Sequence, residues 1–198
     1  MNMDLLKLRH YGFIFIFLLL TGCVTTIGRN FQKLEAPLII PGETTAQDII
    51  GLLGEPTTKN TLNPGTAYNY IYHNRNAKAV NPDEVATRFQ TFNFNNNDIL
   101  TGYQFGSSFV EDSTLFNTDN VKKIRNGNSK SQVLRILGDP SGIEHYPRDP
   151  KYAYVLVYSY PTTTHSDSTF RMVNSVVNVV FGHNEQVVRV ETFNLNTD

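Results

Sequence analysis

A segment that ends in Gly-x-Pro occurs twice in this chain, and the two copies lie 84 residues apart. The first copy covers residues 41–56 and the second covers residues 124–140. A hydroxyl residue that can cap a helix, Thr44 or Thr45 in the first copy and Ser129 in the second, precedes aliphatic residues at helical spacing. The glycine suits a helix end, and the proline prevents continuation. The pattern therefore predicts two short amphipathic helices in a duplicated fold.

Matching strand patterns follow both helices. Residues 67–72 alternate tyrosine with other residues and align with residues 153–158, 86 positions later. Residues 91–105 predict a hairpin around an Asn-rich turn, and residues 178–193 repeat that pattern. The chain is therefore predicted to be α+β, with two tandem repeats, each a short helical segment packed on a three-stranded antiparallel sheet. The helix covers one face of each sheet, and the other face is left to solvent or a partner.

The predicted organisation has five parts. They are a lipoprotein signal peptide at 1–22, a lipidated tether at 23–38, a first repeat at 39–106, a linker at 107–120 and a second repeat at 121–198. Two polar segments, at 73–84 and 161–168, are predicted to be loops within the repeats.

The N-terminal segment has a basic start, an apolar run at 12–20 and a small-residue exit, which are the features of a signal peptide. The run ends at Leu20-Thr21-Gly22-Cys23, which resembles the lipobox of bacterial lipoproteins, and Cys23 is the only cysteine. The resemblance implies cleavage before Cys23 and attachment of lipid, such as palmitate, to the mature N-terminus. A membrane-spanning helix is disfavoured because it needs about 20 apolar residues. A plain secretory signal, with Cys23 incidental, is the other alternative.

The predicted localisation follows from the residue after Cys23, and the predicted partners follow from the net charge of the chain and from the lipid attachment. Val24 stands where inner-membrane lipoproteins of enteric bacteria carry Asp, so the resemblance implies the outer membrane, on its periplasmic face. The formal net charge is −1 without a basic block, which disfavours nucleic acid as a partner. The expected partners are the lipid bilayer, through acylated Cys23, and an envelope protein. No small-molecule substrate is implied.

Candidate catalytic and metal-binding residues are scattered. The mature chain, after predicted cleavage before Cys23, keeps four histidines, and all lie in predicted loops, turns or their edges without a metal-binding spacing: His73, His145, His165 and His183. The adjacent acidic pair Glu111-Asp112 lies in the linker and is predicted to be a solvated patch rather than an acid/base pair. The sequence therefore predicts no metal site, no cofactor and no enzymatic activity, with a hydrolase as the alternative.

Aromatic residues are abundant, with 10 Tyr, 13 Phe and no Trp. Tyrosine is favoured where one side of a residue is packed and the other is wet, and in binding hot spots. One hypothesis is therefore a docking surface for a partner formed by Tyr70, Tyr72, Phe92 and Tyr103. The alternative is that the tyrosines of residues 68–72 simply line the core of the sheet.

The helix segments resemble those of the small outer-membrane lipoproteins of the BamE (SmpA/OmlA) type. The matching residues are Thr45, Ile49, Leu53, Gly54 and Pro56 in the first copy, and Gly127, Ser129, Val133, Leu137, Gly138 and Pro140 in the second. Gly42 lies one residue too early to match Gly127, which indicates a small insertion or a shifted cap. The duplication itself resembles the β-lactamase inhibitory proteins, which hold two such units.

The resemblance implies a protein-binding module in envelope or outer-membrane protein assembly. The alternative that it also implies is an inhibitor or immunity protein for a periplasmic enzyme.

Overall fold

The computed structural model describes residues 25–145, 152–166 and 169–195, so Cys23 and the apolar run before it lie outside the described part. Nine strands form most of the fold: β1 Thr26–Ile27, β2 Thr58–Thr61, β3 Thr66–Asn74, β4 Ala86–Phe94, β5 Leu100–Ser107, β6 Gly142–Glu144, β7 Tyr152–Ser166, β8 Thr169–Gly182 and β9 Val187–Phe193. The helices are α1 Ala46–Leu53, α2 Thr118–Val121 and α3 Lys130–Leu137, with a 3₁₀ turn at Ala36–Leu38. The predicted α+β class is confirmed.

All nine strands belong to one antiparallel sheet, in the order β1-β3-β4-β5-β6-β7-β8-β9, with β2 also paired to β3. The first copy supplies β2 to β5 and the second supplies β6 to β9. The two copies are joined where β6 pairs with β5 over three residues, with Tyr103 opposite Ile143. One row of side chains therefore crosses both copies on a single face of the sheet: Tyr68, Phe92, Tyr103, Ile143, Leu156, Val179 and Val190.

Both predicted helices begin and end as the sequence indicates. Thr45 caps α1 and Ser129 caps α3, and each forms a capping box with the residue three positions later. At the other end, Gly54 and Gly138 have φ of +74° and +81°, a conformation that glycine adopts at little cost. Local hydrogen bonds thus define both helices without reference to the rest of the chain.

Each helix covers its own half of the sheet. Under α1, the first core contains Ile49 and Phe92, both fully buried. Under α3, the second core contains Val133, Leu156 and Phe181, all exposed by 2% or less. Burying one such side chain contributes about 1.5–3 kcal/mol, so the two cores account for most of the packing energy that holds the helices on the sheet.

One tyrosine in each copy ties the sheet to the end of the helix. The Tyr70 hydroxyl donates to the Gly54 carbonyl at 2.8 Å, and the Tyr158 hydroxyl donates to the Gly138 carbonyl at 3.0 Å. These equivalent tyrosines lie 88 residues apart, so the alignment of residues 67–72 with 153–158 at 86 residues is corrected by two. A shift of two keeps every side chain on the same sheet face, which is why the alternation alone could not detect it.

The segment before each helix is also equivalent in the two copies. The Gly42 amide donates to the Leu100 carbonyl, and the Gly127 amide donates to the Val187 carbonyl, both at 2.8 Å. Both glycines have φ near +90°. Gly42 and Gly127 therefore hold the same place, and the first copy carries one inserted residue between this glycine and the helix cap Thr45.

Three features of the fold differ from the expectations. Each copy carries a short additional strand, β2 or β6, so the predicted three-stranded sheet is not confirmed in detail. Residues 161–166, expected to be a loop, extend β7 instead. Proline in a sheet is confined to edges, and β6 pairs with β7 only as far as Val157, which leaves Pro161 beyond its reach.

The third difference is the segment expected to be a tether through residue 38. It lies against the first copy, where β1 pairs with the end of β3. Phe31 and Leu34 are buried in the first core, and the Leu34 amide donates to Gln90 Oε1 at 3.2 Å. These apolar contacts, together with the pairing of β1, hold the segment on the sheet.

The hairpin of β7 and β8 extends past its own copy and contacts the first one. Phe170 stacks on His73 of β3, with ring centroids 5.2 Å apart and planes within 13°. The Val85 amide donates to the Thr163 carbonyl at 2.8 Å. His73 is buried, its Nδ1 lies 2.8 Å from Thr87 Oγ1, and burial lowers the pKa of its imidazole below the usual 6.5.

His73 makes stability depend on pH. Below about pH 6.5 the unfolded chain takes up a proton at His73 that the folded chain resists, so the free energy of unfolding falls as the pH falls. We expect denaturant midpoints to decrease between pH ~7.5 and pH ~5, and to decrease less in a His73→Phe variant, which keeps the ring on Phe170. A His183→Gln variant, changed in an exposed turn, is the matched control. Equal slopes in the wild type and His73→Phe would contradict the assignment.

Candidate partner-binding site

A groove lies where the two copies meet. Two adjoining cavities of about 460 and 390 Å³ form it, which is the size range of ligand pockets. They share five lining residues, Lys33, Glu35, Asp139, Pro140 and Ser141. The groove therefore lies between the N-terminal segment and the end of α3, above the β5–β6 junction.

The floor of the groove is apolar because the row of side chains that crosses the sheet passes through it. Tyr103 and Phe105 of β5 line it from the first copy, and Ile143, Leu156 and Tyr158 line it from the second. Tyr103 and Ile143 are partly exposed, whereas Phe105, Leu156 and Tyr158 are buried, and α3 packs on Leu156 and Ile143 as part of the second core. The accessible part of the floor is therefore Tyr103 and Ile143, where the two copies join.

The walls add both apolar and charged groups. Leu134 and Leu137 of α3 form one wall, and Leu115, which is 58% exposed, lies on the linker wall. Lys33 Nζ lies 3.7 Å from Glu35 Oε2 and 5.8 Å from the centre of the Phe105 ring. The rim therefore carries charges of both signs around an apolar floor, an arrangement typical of protein-binding surfaces.

The tyrosines of the groove stay neutral well above neutral pH. Burial, with a contribution from Glu35, raises the pKa of Tyr103. Burial and the nearby Asp139 raise the pKa of Tyr158, whose hydroxyl already donates to Gly138. Both side chains are therefore poor proton donors or acceptors for catalysis, and Tyr103, the partly exposed one, can pack against a partner as a neutral ring.

A buried arginine holds the segments that form the groove together. Arg88 of β4 is 8% exposed at its side chain, and its Nη1 donates to Asn30 Oδ1 and to the Phe31 carbonyl, both at 2.8 Å. Its Nε lies 2.7 Å from Asp112 Oδ2, and its Nη2 lies 3.6 Å from Glu111 Oε1. The sequence predicted that Glu111-Asp112 is a solvated patch. The structure shows instead that both carboxylates form ion pairs with Arg88, which hold the linker in place.

Comparison with known proteins decides the family. The model of the family described as "Outer membrane protein assembly factor BamE domain" matches the chain twice, at residues 35–104 and 113–191. The two matches cover more than half of the chain. The chain belongs to the BamE family. The double match confirms the resemblance to BamE and the tandem duplication. A search of curated proteins found no significant match.

BamE membership has consequences for the function. The family is one of outer-membrane protein assembly factors rather than enzymes, is associated with the outer membrane, and interacts with other proteins of the Bam complex. These properties support an envelope protein as partner. They give no support to the alternative of an inhibitor or immunity protein.

The structure separates the four aromatic residues that were expected to dock a partner. Tyr70, Tyr72 and Phe92 are buried in the core under α1, with Phe92 fully enclosed. This placement fits the alternative that the tyrosines line the core. Of the four, Tyr103 alone is partly exposed, and it lies in the groove of this member of the BamE family. Among the described residues no group of three or more His, Cys, Asp or Glu is placed to hold a metal ion.

Other residues that line or support the groove were missed at the sequence level. Lys33 and Glu35 belong to the segment expected to be a tether, and Arg88 lies in a stretch between the predicted strands. One signal was available for Arg88: apart from Gln90, its neighbours at 85–92 are β-branched, small or aromatic, and a charge buried in such a run must be paired. For Lys33 and Glu35, the spacing of Phe31 and Leu34 was the available hint.

Proposed function

We propose that this chain is a lipid-anchored outer-membrane protein that binds an envelope protein during the assembly of outer-membrane proteins. The double match to the BamE domain is the observation that carries the proposal. The groove between the copies supports it because an apolar floor with a mixed-charge rim fits a protein segment with apolar side chains. In this proposal Tyr103 and Leu115 contact the partner, and Phe92, opposite Tyr103 on the same sheet face, packs beside the floor with Tyr70 and Tyr72 in the first core.

Attachment to the membrane is assigned to Cys23. In this proposal the segment 1–22 is removed, lipid is attached to the mature N-terminus, and the body faces the periplasm. The composition of residues 12–23 supports this step. Among the described helices none is long and apolar enough to span a bilayer.

The anchor is tested with Cys23→Ser. The variant should leave the membrane fraction, fail to incorporate labelled palmitate and accumulate with residues 1–22 attached, because the thiol that receives the lipid is gone. Thr21→Ser, which keeps a small residue before the cleavage position, should behave as wild type. Normal membrane recovery of Cys23→Ser, or wild-type processing that is insensitive to globomycin, would refute the anchor.

The binding surface is tested with photo-cross-linking amino acids at single positions in the full chain in cells. Leu115 and Tyr103, on the groove, should each cross-link to a protein of the Bam complex. Val188 on β9, exposed by 37% and outside the groove, serves as control. Cross-links of equal yield from Val188 would show that the groove is not the site. Cross-links from none of the three positions would contradict a bound partner.

A further inference from the structure

The folded body begins very close to the proposed anchor. The Arg75 amide donates to the Thr25 carbonyl at 2.9 Å, and Thr26 and Ile27 pair with Asn74 and His73 of β3. Only one residue separates Thr25 from Cys23. Two residues of fully extended chain span about 7 Å, so Thr25 cannot lie farther than this from an acylated Cys23.

This first part of the body is firmly held rather than loosely attached. Gly28 has φ of +80°, and a Cβ at this position would lie 2.0 Å from the Ile71 carbonyl oxygen, so the segment runs directly against β3. Two residues later, Asn30 and Phe31 accept hydrogen bonds from the buried Arg88. The segment therefore cannot peel away to lengthen the link without breaking these contacts.

The surface around Thr25 has the chemistry of a membrane-contacting surface. Arg75 and Lys78 are exposed in the turn that follows β3, and Ile27 and Val80 are exposed by 43% and 38%. Val110, 58% exposed, joins them because its amide donates to the Lys78 carbonyl at 3.3 Å. Basic residues are attracted to anionic headgroups, and aliphatic side chains can enter the headgroup layer.

The acidic residues of the same loop do not neutralise the positive charge of Arg75 and Lys78. Asp83 and Glu84 stand at the far end of the loop, next to the start of β4. Glu84 accepts hydrogen bonds from Tyr160, at 3.2 Å, and from Asn81, at 3.2 Å. Its carboxylate is thereby engaged with the β7–β8 hairpin rather than with the turn that holds Arg75 and Lys78.

We propose that Ile27, Arg75, Lys78, Val80 and Val110 form a surface that rests on the lipid headgroups of the membrane, which we name the membrane-facing surface. The inference rests on the proposed acylation of Cys23. The headgroup layer on one side of a bilayer is about 5–7.5 Å thick, so a reach of about 7 Å places Thr25 within or just outside it. The bilayer then lies at the β1 edge of the sheet and not at the β9 edge.

This orientation explains how a partner reaches the groove. Thr91 pairs with Gln104 of β5 and with Asn69 of β3, so the β5–β6 junction lies level with Asn69. Asn74, opposite Thr26, lies five residues farther along β3, or about 17 Å at roughly 3.4 Å per residue. The headgroups therefore lie at this end of β1 and β3, while the groove remains accessible to a protein in the periplasm.

The chain contains no tryptophan, so the fluorescence of a single introduced Trp reports on its own position alone. A single Trp is introduced as Val80→Trp in the full lipidated protein, which is then reconstituted in vesicles that contain brominated phosphatidylcholine. The control is Phe193→Trp on β9, because Phe193 is 51% exposed. Val80 lies 57 residues from Cys23 in sequence, so its proximity to lipid depends on the fold. We expect several-fold stronger quenching at position 80 than at position 193.

A second pair of variants separates headgroup contact from mere tethering. In vesicles that also contain phosphatidylserine, Arg75→Gln with Lys78→Gln should weaken the quenching of Val80→Trp, and Lys122→Gln with Lys123→Gln should not. Val110→Trp replaces the first probe if Val80→Trp fails to fold.

The outcomes distinguish this inference from the function on which it rests. Equal quenching at positions 80 and 193 in a vesicle-bound protein would overturn the orientation and leave the anchor intact. A protein that carries no lipid and does not remain with the vesicles would refute the anchor, and the orientation with it.

Discussion

Replacing Gly142 with alanine is expected to destabilise the protein by about 1–3 kcal/mol, the usual range for overpacking at a tight site. A Cβ at Gly142 would lie 2.2 Å from the Tyr103 carbonyl oxygen and 2.6 Å from Gln104 Cα. Both are backbone atoms of β5, so they cannot move aside as a flexible side chain could. The strain falls on the three-residue pairing of β5 with β6, which joins the two copies.

Gly51→Ala is the matched control for this substitution. Gly51 lies on the exposed side of α1, and a Cβ there would meet no atom within 4 Å. Alanine in a helix interior is better than glycine by about 0.8–1 kcal/mol, so this variant should be more stable than the wild type. Equilibrium denaturation of both variants measures the contrast. A Gly142→Ala variant as stable as the wild type would show that the junction tolerates a wider strand separation.

Arg88→Met is expected to lower the free energy of unfolding by about 3–5 kcal/mol, the range for breaking a buried ion pair by removing one partner. Methionine can fill part of the volume of the arginine side chain. It leaves the Phe31 carbonyl without its hydrogen-bond donor and the Asp112 carboxylate without its counter-ion. Three segments are held by this side chain: the N-terminal segment, β4 and the linker. The walls of the groove should therefore loosen together, which limited proteolysis of the linker would detect.

Two further variants define the role of this arginine. Arg88→Lys should also be destabilising, because a single ammonium cannot reproduce the planar set of donors that reaches Asn30, Phe31 and Asp112. Lys122→Met removes an exposed cation from a surface pair with Asp119 and should change stability by about 0–1 kcal/mol. If Arg88→Met and Lys122→Met cost the same, the buried arginine does not hold the segments together.

The helices could be predicted from the sequence because their signals are local. Thr45 and Ser129 cap their helices through a residue only three positions away, and Gly54 and Gly138 end them through bonds to the last turn. The first hairpin turn behaves in the same way, since Asp98 is of a type that tolerates its φ of +57°, whereas the equivalent Glu185, with φ of +59°, is not. Residue type and short spacing are sufficient where partners are close in sequence.

The lengths of the strands, and whether the tyrosines lie in the core or on the surface, were harder to predict. Period-two alternation places Tyr70, Tyr72 and Phe92 on a common face but cannot say which face a helix will cover. A chain with as many aromatics as this one can place them in the core or on the surface. The apolar stripe of α1 covers that face, so three of the four expected docking residues became core, and only Tyr103 lies in the groove.

The sequence by itself determined the duplication, the two capped helices, the α+β class and the resemblance to BamE, because each depends on residues near one another in the chain. Only the tertiary structure decided that the two copies share one sheet, that residues 26–39 pack on the first copy, and that a groove opens above the junction. These features depend on pairs such as Tyr103 with Ile143 and Arg88 with Asp112, which are distant in sequence. Such pairings are selected by steric fit and by the need to satisfy a buried charge, and a local pattern can indicate that a residue such as Arg88 needs a partner but not which residue that partner is.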